Sequence, residues 1–352
     1  MYIIGLGTAH PEHRYTKADC WHGFKASPWF DRLDRRARIV TEMVLSRDNG
    51  IEARRLAVDT LDEVFSIDPD TLHERFLANA PALAAQAGQR ALDDAGLQAS
   101  DIDAVIVSTC TGYLCPALSS YVTESLGLRA DVQALDLVGQ GCGAALPNMR
   151  MGEALIASGR CARVLSVCVE ISSAAMYLDN DVGVLISACL FGDGAGAAVL
   201  SSTPQPGKRR VRWMRAASIT APAHRDALRF EQRGGLLRNI LTREVPGLAA
   251  TYAGRVLDDV LAAEGLQRDA IDGWIWHAGG RDVLASLRKT LDLTEADVRH
   301  SADVLREYGN LSSAFVYFVL QAALAADDPG GRWWLASFGA GFSSHGALLD
   351  VD

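Results

Sequence analysis

The segment ALDDAGLQASDIDAVIVSTCTG (91–112) returns in outline, 169 residues later, as VLAAEGLQRDAIDGWIWHAGG (260–280). In each copy an amphipathic helix rich in Ala and Leu ends at a glycine, Gly96 or Gly265. A short acidic link follows, and a run of bulky apolar residues predicts a buried strand. This repetition of helix, turn and strand indicates a chain built from two similar halves.

The two halves continue to match downstream. The apolar segment RVLSVCVE (163–170) corresponds in kind to RWWLASFG (332–339), and FGDGAGAAVLSS (191–202) corresponds to FGAGFSSHGALLDV (338–351). Near-continuous apolar strands that alternate with helices predict a mostly parallel sheet, buried on both faces. Two such halves side by side predict an α/β fold with a pseudo-twofold, five-layered α-β-α-β-α core.

A junction between the halves is expected at SSTPQPGKRR (201–210), so that the first half spans 1–205 and the second 206–352. The first half has an addition that the second lacks. Between a first strand (2–9) and the first repeated helix, a long segment rich in Arg and Glu (about 29–80) predicts a helical insertion.

Composition restricts the class of protein. With 352 residues, 49% apolar and 22% charged, the chain is expected to fold around a sizeable core. A net charge of -9 gives no overall basic field, so nucleic acid is not an expected partner. The sequence has no signal-peptide pattern and no apolar run long enough to span a bilayer, which predicts a cytoplasmic protein without a membrane partner. Seven cysteines without a C-x-x-C pair indicate neither a disulfide framework nor a metal site.

Cys142 has the surroundings of a nucleophile. In LDLVGQGCGAALPNMRMGEAL an apolar strand leads to a cysteine between two glycines, and an amphipathic helix follows. The glycines permit a tight turn and close approach of a substrate, and a helix N-terminus stabilises a thiolate. A structural cysteine needs neither glycine, and Cys161, Cys168 and Cys189 in apolar runs are expected to be core residues.

His277 is the best candidate for a base beside this cysteine. It ends the apolar strand GWIWH and precedes Ala-Gly-Gly, which places an imidazole at the carboxyl end of a strand. Surface roles are expected for the histidines in polar or charged segments, which are His10, His13, His22, His73, His224 and His300.

Asn310 is the third candidate, in a Gly-Asn turn that leads into a long apolar helix. With the repeat offset of 169, position 142 maps to 311, and His277 maps to Ser108 at the end of a strand. Pseudo-symmetry therefore brings Cys142, His277 and Asn310 together, although Asn310 taken alone also fits a helix N-cap.

Cys, His and Asn together suit decarboxylative condensation. A thiolate takes an acyl group from a thioester, and His and Asn donate hydrogen bonds to a malonyl thioester carbonyl, which stabilises the enolate formed when carbon dioxide leaves. A papain-like protease uses the same three residue types, but its order of elements and its local cysteine signature differ from this doubled α/β chain.

Four segments, GCGAALPN, LFGDGAGAAVL, WHAGGRDVL and EYGNLSSA, resemble in order and spacing the signatures of type III polyketide synthases, the chalcone-synthase-type enzymes of the thiolase-like superfamily. The resemblance runs from about residue 51 to the end of the chain. It implies the thiolase-like fold, a homodimer, no cofactor, and direct use of CoA thioesters, namely malonyl-CoA and an acyl-CoA starter.

The resemblance also implies roles for particular residues. Cys142, His277 and Asn310 match the catalytic triad, and Phe191 matches the phenylalanine that gates the cavity beside the cysteine. Cys115 and Pro116 match a loop that crosses the dimer interface in this family. The substrate-binding positions that we expect are Phe191, Cys110, Thr111, Ser312, Asn239 and Ala175.

The sequence departs from the usual pattern of the family in SFGAG (337–341), where Ala340 replaces a proline, and from its plant members in two further places. Asn239 stands where those enzymes have a second gating phenylalanine, and the positions of their CoA-binding basic residues hold Thr41, Val44 and Asp48. We expect Arg281, with Gly279 and Gly280, to bind CoA. The other arginines considered for this role are Arg47, Arg54 and Arg55.

Two other functions stay open at this point. A ketoacyl-ACP synthase III-type enzyme shares the fold and the triad but condenses once, with malonyl-ACP. A catalytically silent subunit of the same fold binds acyl chains only. The starter acyl group, whether fatty acyl, short acyl or malonyl, the number of extensions and the cyclisation mode also stay open.

Overall fold

The computed structural model describes residues 1–326 and 328–352. The strands of this part of the chain are β1 (Tyr2–Ala9), β2 (Arg14–Thr16), β3 (Ala53–Arg55), β4 (Ala104–Ser108), β5 (Gln133–Leu137), β6 (Arg163–Glu170), β7 (Gly194–Ser201), β8 (Val211–Thr220), β9 (Leu228–Arg233), β10 (Leu236–Leu241), β11 (Gly273–Trp276), β12 (Gly331–Gly339) and β13 (Ser343–Val351). The α-helices are α1 (Lys17–Ala26), α2 (Pro28–Arg32), α3 (Arg35–Ser46), α4 (Pro69–Ala95), α5 (Leu118–Leu126), α6 (Ala145–Ala157), α7 (Val182–Leu190), α8 (Val245–Glu264), α9 (Arg281–Leu291), α10 (Arg299–Tyr308) and α11 (Phe315–Ala325).

The repeated segments fold alike. Helices α4 and α8 both end at a glycine in the left-handed conformation, Gly96 with φ 62° and Gly265 with φ 66°. In both copies a 3₁₀ turn and a strand follow, β4 in the first half, which is buried throughout, and β11 in the second, which is buried in its last two residues. The sequence prediction of a doubled helix, turn and strand is confirmed.

The central sheet has the strand order β11-β12-β13-β8-β1-β7-β6-β4-β5. The two halves join where Tyr2 and Ile3 of β1 pair with Arg212 and Val211 of β8. The pairs β4–β5, β4–β6 and β11–β12 are parallel, and the pairs that involve β1, β7, β8 or β13 are antiparallel. The expectation of a mostly parallel sheet is therefore wrong, because the strands that follow the glycine-rich turns run back beside their predecessors.

Five layers are present, as the sequence predicts, because the two halves of the sheet, β11-β12-β13-β8 and β1-β7-β6-β4-β5, lie on either side of a pair of helices. Helix α4 covers β1, β6 and β7 on the outside of the first half, and α8 covers β8 and β13 on the outside of the second. Helices α6 and α11 each contact strands of both halves and form the layer between them. Since Cys142 precedes α6 and Asn310 precedes α11, the middle layer brings the two segments to one end of the molecule.

The insertion after β2 is less helical than expected. Within the range 29–80, α3 and the start of α4 are separated by β3 and a 3₁₀ turn at Leu61–Phe65. Strand β3 pairs with β2, and the helices pack around a separate apolar cluster that includes Phe24, Leu56 and Leu185. In the part of the chain that is described, no helix has the length and apolarity needed to cross a membrane.

Candidate active site

Cys142 lies in a 3₁₀ turn, Gly141–Gly143, between β5 and α6. The second half of the chain packs directly against this turn. A Cβ on Gly141 would lie 3.0 Å from the Ala340 nitrogen, and one on Gly143 would lie 3.1 Å from the Gly339 nitrogen. Gly141 also has φ 55°, which a side chain would strain. The backbone therefore requires glycine at 141, and a side chain at 143 would push against the second half of the chain.

Ser312 connects Cys142 with Asn310. The Ser312 hydroxyl donates to the Cys142 sulfur over 3.2 Å, and the Ser312 backbone N–H donates to Asn310 Oδ1 over 2.9 Å. Asn310 Nδ2 donates to the Gly279 carbonyl, two residues after His277, over 3.3 Å. The amide nitrogen has a second hydrogen for a substrate oxygen. The three predicted catalytic residues thus belong to one buried region.

His277 follows β11 and is 2% exposed. Its ring packs edge-on against Phe315 and Phe338, with centroids 5.3 and 5.5 Å away. Burial lowers the pKa of His277 to about 3, because the aromatic surroundings do not solvate an imidazolium ion. The imidazole is therefore neutral near pH 7 and carries one N–H that can donate.

Burial raises the pKa of the Cys142 thiol to about 12, and the hydrogen bond from Ser312 acts in the opposite direction. Helix α6 begins at Ala145, three residues after the cysteine. At Cys142 burial outweighs the stabilisation of a thiolate that we expected from the helix N-terminus, because Cys142 is 8% exposed and has lost most of its contact with water.

Sequence reasoning missed Glu170, the last residue of β6, which is fully buried. Its carboxylate accepts hydrogen bonds from the Cys110 N–H over 3.0 Å, the Thr111 hydroxyl over 2.9 Å and the Ser312 hydroxyl over 3.3 Å, and also from Ser313. Burial raises the pKa of Glu170. The signal that identified His277, a titratable residue at the carboxyl end of an apolar strand, also marks Glu170.

The six predicted substrate positions line one small cavity of about 40 Å³ beside the site. Phe191 reaches it from the end of α7, where its carbonyl accepts from Arg54 over 3.0 Å. The residues that line it are Leu56, Cys110, Thr111, Ser172, Ser173, Ala175, Met176, Tyr177, Val184, Ser187, Ala188, Phe191, Phe230, Asn239 and Ser312. The six residues named from the sequence thus line one cavity, together with Phe230 and Tyr177, which the sequence reasoning left out, and their role in substrate binding stays a prediction.

Phe230 stands directly across the β9–β10 hairpin from Asn239. Both side chains line the small cavity, so an aromatic residue is present even though Asn239 replaces the expected phenylalanine. Phe230, Cys110 and Thr111 also line a second cavity of about 850 Å³, which runs past Phe76 and Tyr113. The site therefore has a narrow side and a wide side.

The residues predicted to bind CoA lie at the start of α9. Gly280 precedes this helix, and Arg281 is its first residue, 54% exposed in its side chain. Arg281 donates to the Asp48 carbonyl over 2.6 Å and lies 3.6 Å from the Asp48 carboxylate. Arg54 does not suit a phosphate in solvent, because it is 7% exposed and donates to the Ala188 and Phe191 carbonyls.

The segment assigned to a dimer interface lies at the surface. Cys115 and Pro116 are exposed and joined by a cis peptide bond, and Tyr113 nearby is 73% exposed. Strand β5, at the edge of the sheet, exposes Leu135, and Val138 just after it is 60% exposed.

Comparison with known proteins gives two family matches that together span most of the chain. Residues 51–226 match the family described as FAE1/type III polyketide synthase-like protein. Residues 221–346 match the C-terminal domain of chalcone and stilbene synthases.

Individual proteins match over nearly the whole chain. A 1,3,6,8-tetrahydroxynaphthalene synthase of Streptomyces peucetius subsp. caesius is 32% identical over 99% of this chain and 92% of its own. A 3,5-dihydroxyphenylacetyl-CoA synthase of Streptomyces toyocaensis is 30% identical over 99% of this chain and 89% of its own. The crystal structure of PKS-I from the brown alga Ectocarpus siliculosus superimposes with a TM-score of 0.90 at 26% identity, over 99% of this chain and 97% of that one.

Proposed function

The chain belongs to the type III polyketide synthase family, and we propose that it loads an acyl starter from CoA onto Cys142 and extends it with malonyl-CoA by decarboxylative condensation. The observation that carries this proposal is the arrangement of Cys142, Ser312 and Asn310, joined by contacts of 3.2 and 2.9 Å, with His277 in the same buried region.

In the first step the Cys142 sulfur attacks the thioester carbonyl of the starter, and CoA leaves with the thiol proton. The Ser312 hydroxyl supports this attack, because a hydrogen bond donated to sulfur favours the thiolate. The burial that raises the pKa of the thiol also excludes water, which protects the acyl-enzyme from hydrolysis.

In the second step His277 and Asn310 donate hydrogen bonds to the thioester carbonyl of malonyl-CoA. When carbon dioxide leaves, the electron pair of the broken bond passes into an enolate, whose oxygen these donors stabilise. The enolate carbon then attacks the acyl carbonyl on Cys142, the acyl carbon–sulfur bond breaks, and Cys142 leaves as a thiolate while the extended chain stays on CoA. A neutral His277 serves as such a donor, which agrees with the direction of its pKa shift.

The wide cavity beside Cys110 and Thr111 supports repeated extension and cyclisation or lactonisation of the product, because an extended chain needs room next to Cys142. The two relatives are named for the synthesis of 1,3,6,8-tetrahydroxynaphthalene and of 3,5-dihydroxyphenylacetyl-CoA, both of which contain aromatic rings. An aromatic product formed by ring closure of the extended chain fits this arrangement.

Incubation with malonyl-CoA and a panel of acyl-CoAs, without ACP, tests the proposal. The purified protein is compared with its Cys142→Ala variant, and CoA release and products are followed by mass spectrometry. We expect products with two or more extensions that depend on Cys142. Activity that requires malonyl-ACP and stops after one condensation supports the ketoacyl-ACP synthase III-type alternative, and acyl binding without turnover supports the silent subunit.

We also propose that the protein is a homodimer and acts in the cytoplasm. The exposed edge of β5 with Val138 and the exposed Tyr113 support a dimer, because a second copy would cover apolar side chains and an unpaired strand edge. All seven cysteines are free thiols, which suits a reducing compartment. Sedimentation analysis of the purified protein tests the dimer, and a monomer at micromolar concentration contradicts it.

A further inference from the structure

The small cavity beside Cys142 has three walls that come from separate parts of the chain. One wall is the segment 172–177 after β6, the second is α7 with Phe191, and the third is the β9–β10 hairpin with Phe230 and Asn239. At about 40 Å³ the cavity is larger than the roughly 10–15 Å³ that one water molecule needs, but it has room for a short acyl group only. A longer starter group therefore enters this cavity only if the walls move apart.

Arg238, on β10 next to Asn239, contacts all three walls. Its guanidinium lies 3.1 Å from Asp179 Oδ2, 3.1 Å from Asp181 Oδ2 and 2.9 Å from Glu231 Oε1. Asp179 follows Tyr177 of the first wall by two residues. Asp181 is the N-cap of α7, where it accepts from the Gly183 and Val184 N–H groups. Glu231 is adjacent to Phe230 on the hairpin.

The alternation of side chains along β10 explains how Arg238 can contact the three carboxylates without filling the cavity. Neighbouring residues on a strand point to opposite faces, so Arg238 faces the carboxylates while Asn239 faces the cavity. The Asn239 amide donates to the Ser187 hydroxyl on α7 over 3.2 Å. This bond also joins the hairpin to α7, on the side that faces the cavity. A Cβ on Gly183 would lie 2.3 Å from the Leu241 carbonyl oxygen, so α7 and the hairpin are already in close contact.

Arg238 is the cation at the centre of this cluster. Its side chain is 11% exposed, and its guanidinium lies 5.9 Å from the centre of the Tyr177 ring, which lines the cavity. Arg229 shares Glu231 over 2.7 Å but is 33% exposed and pairs otherwise with Asp226 on its own segment. Without Arg238, three carboxylates on three walls would repel one another across a partly buried space.

We infer that Arg238 is a positioning residue that determines starter size: by holding Asp179, Asp181 and Glu231 together it keeps the small cavity closed to all but short acyl groups such as acetyl and malonyl. The inference rests on the proposed function, since it names the class of starter that Cys142 accepts. Breaking the cluster should let the hairpin and α7 separate, and longer acyl-CoAs should then load.

The test compares wild type, Arg238→Met, Arg238→Lys and the control Arg268→Met. Methionine keeps much of the apolar stem and removes the guanidinium, and lysine keeps the charge with fewer donors. Arg268 pairs with Asp258 at the surface and is 43% exposed. The measured quantity is kcat/KM for CoA release with octanoyl-CoA divided by that with acetyl-CoA, in the presence of malonyl-CoA, with products identified by mass spectrometry.

We expect this ratio to rise about tenfold in Arg238→Met, which corresponds to about 1.4 kcal/mol. The rise should be smaller in Arg238→Lys and absent in the control. A general loss of stability would lower both kcat/KM values without changing their ratio, so the ratio distinguishes positioning from folding.

A wild-type ratio in folded Arg238→Met overturns the inference. If that variant does not fold, Asp179→Asn and Glu231→Gln decide, because each removes one contact and leaves the other two. An unchanged ratio in both variants also overturns it. If wild type condenses no CoA-linked starter at all, the proposed function fails instead, whereas condensation by wild type with an unchanged ratio in the variants contradicts the starter-size inference alone.

Discussion

The Ser312 hydroxyl hydrogen-bonds to the Cys142 sulfur across the boundary between the two halves of the chain, with 3.2 Å between Oγ and Sγ. The same hydroxyl lies 3.4 Å from the Cys110 sulfur and 3.3 Å from Glu170 Oε1. One hydroxyl has one proton, so donation to Cys142 competes with donation to the carboxylate. The charge on Glu170 and the reactivity of Cys142 are therefore connected through Ser312.

Ser312→Ala should make Cys142 less reactive towards iodoacetamide. The hydroxyl lowers the pKa of the thiol, so its loss should raise that pKa and slow alkylation at a fixed pH, by about tenfold for a hydrogen bond that contributes about 1.4 kcal/mol. Mass spectrometry of the Cys142 peptide measures the rate. Ser158→Ala is the control, because the Ser158 hydroxyl donates to the Leu155 carbonyl at the surface, away from Cys142 and Glu170. Equal rates in wild type and Ser312→Ala contradict the prediction.

Cys142→Ala should abolish condensation and leave no acyl group on the protein. The control is Cys110→Ala, because Cys110 lines the same cavity and its thiol also lies close to Ser312. We expect intact-protein mass spectrometry to find the starter on Cys142 in Cys110→Ala and on no residue in Cys142→Ala. Polyketide formation by the Cys142→Ala variant would refute the assignment of the nucleophile.

His277→Gln should keep more malonyl-CoA decarboxylation than His277→Ala. The neutral imidazole acts as an N–H donor, and a glutamine amide supplies such a donor, whereas removal of an oxyanion donor costs about 10²–10³ in rate. Formation of acetyl-CoA, followed by chromatography, gives the rate. Because the pKa of His277 lies near 3, the wild-type rate should not fall as pH rises through 6.5. Equal losses in both variants argue against a donor role.

Glu170→Gln should change how stability depends on pH. Burial raises the folded-state pKa of Glu170 above its usual 4.5, so the native state binds this proton more tightly than the unfolded chain. The resulting stabilisation is fully present below pH 4.5 and is lost as pH rises through the folded-state pKa. Urea unfolding should therefore show the stability of wild type minus that of Glu170→Gln decreasing from pH 4.5 to pH 8. A constant difference contradicts the prediction.

Which features of the fold and of the site could be predicted from the sequence depends on how far apart the contacting residues are along the chain. The helix ends at Gly96 and Gly265, the first strand and the Gly141–Gly143 turn follow from local patterns, because a glycine or an apolar run determines each one. The repeat offset then placed Asn310 in the same region as Cys142. Whether neighbouring strands run parallel or antiparallel could not be predicted, because this depends on which strands become neighbours in the folded sheet.

The contacts of Arg238 and Glu170 are non-local for the same reason. Arg238 reaches Asp179 across 59 residues, and Glu170 accepts from Ser312 across 142 residues. In the sequence Arg238 is one of several charged residues in the stretch RFEQRGGLLRNIL, and Glu170 is the polar residue at the end of a strand. Nothing in these local patterns indicates their partners. Only the folded chain shows that these charges surround the cavity.

Arg281→Ala should weaken binding of malonyl-CoA with little effect on turnover. Arg281 begins α9 beside Gly280 and is half exposed, so its ion pair with a CoA phosphate should contribute about 0.2–1 kcal/mol, or a rise in KM of up to about fivefold. The Asp48 carboxylate, 3.6 Å away, already neutralises part of the Arg281 charge. Asp48→Asn should therefore lower the KM for malonyl-CoA. Arg288→Ala, in the last turn of the same helix, is the control.

Steady-state rates at low salt and at 0.5 M salt measure the effect of Arg281→Ala. The difference in KM between Arg281→Ala and wild type should shrink at high salt, because exposed charges are screened. An unchanged KM for malonyl-CoA in Arg281→Ala excludes this residue from CoA binding.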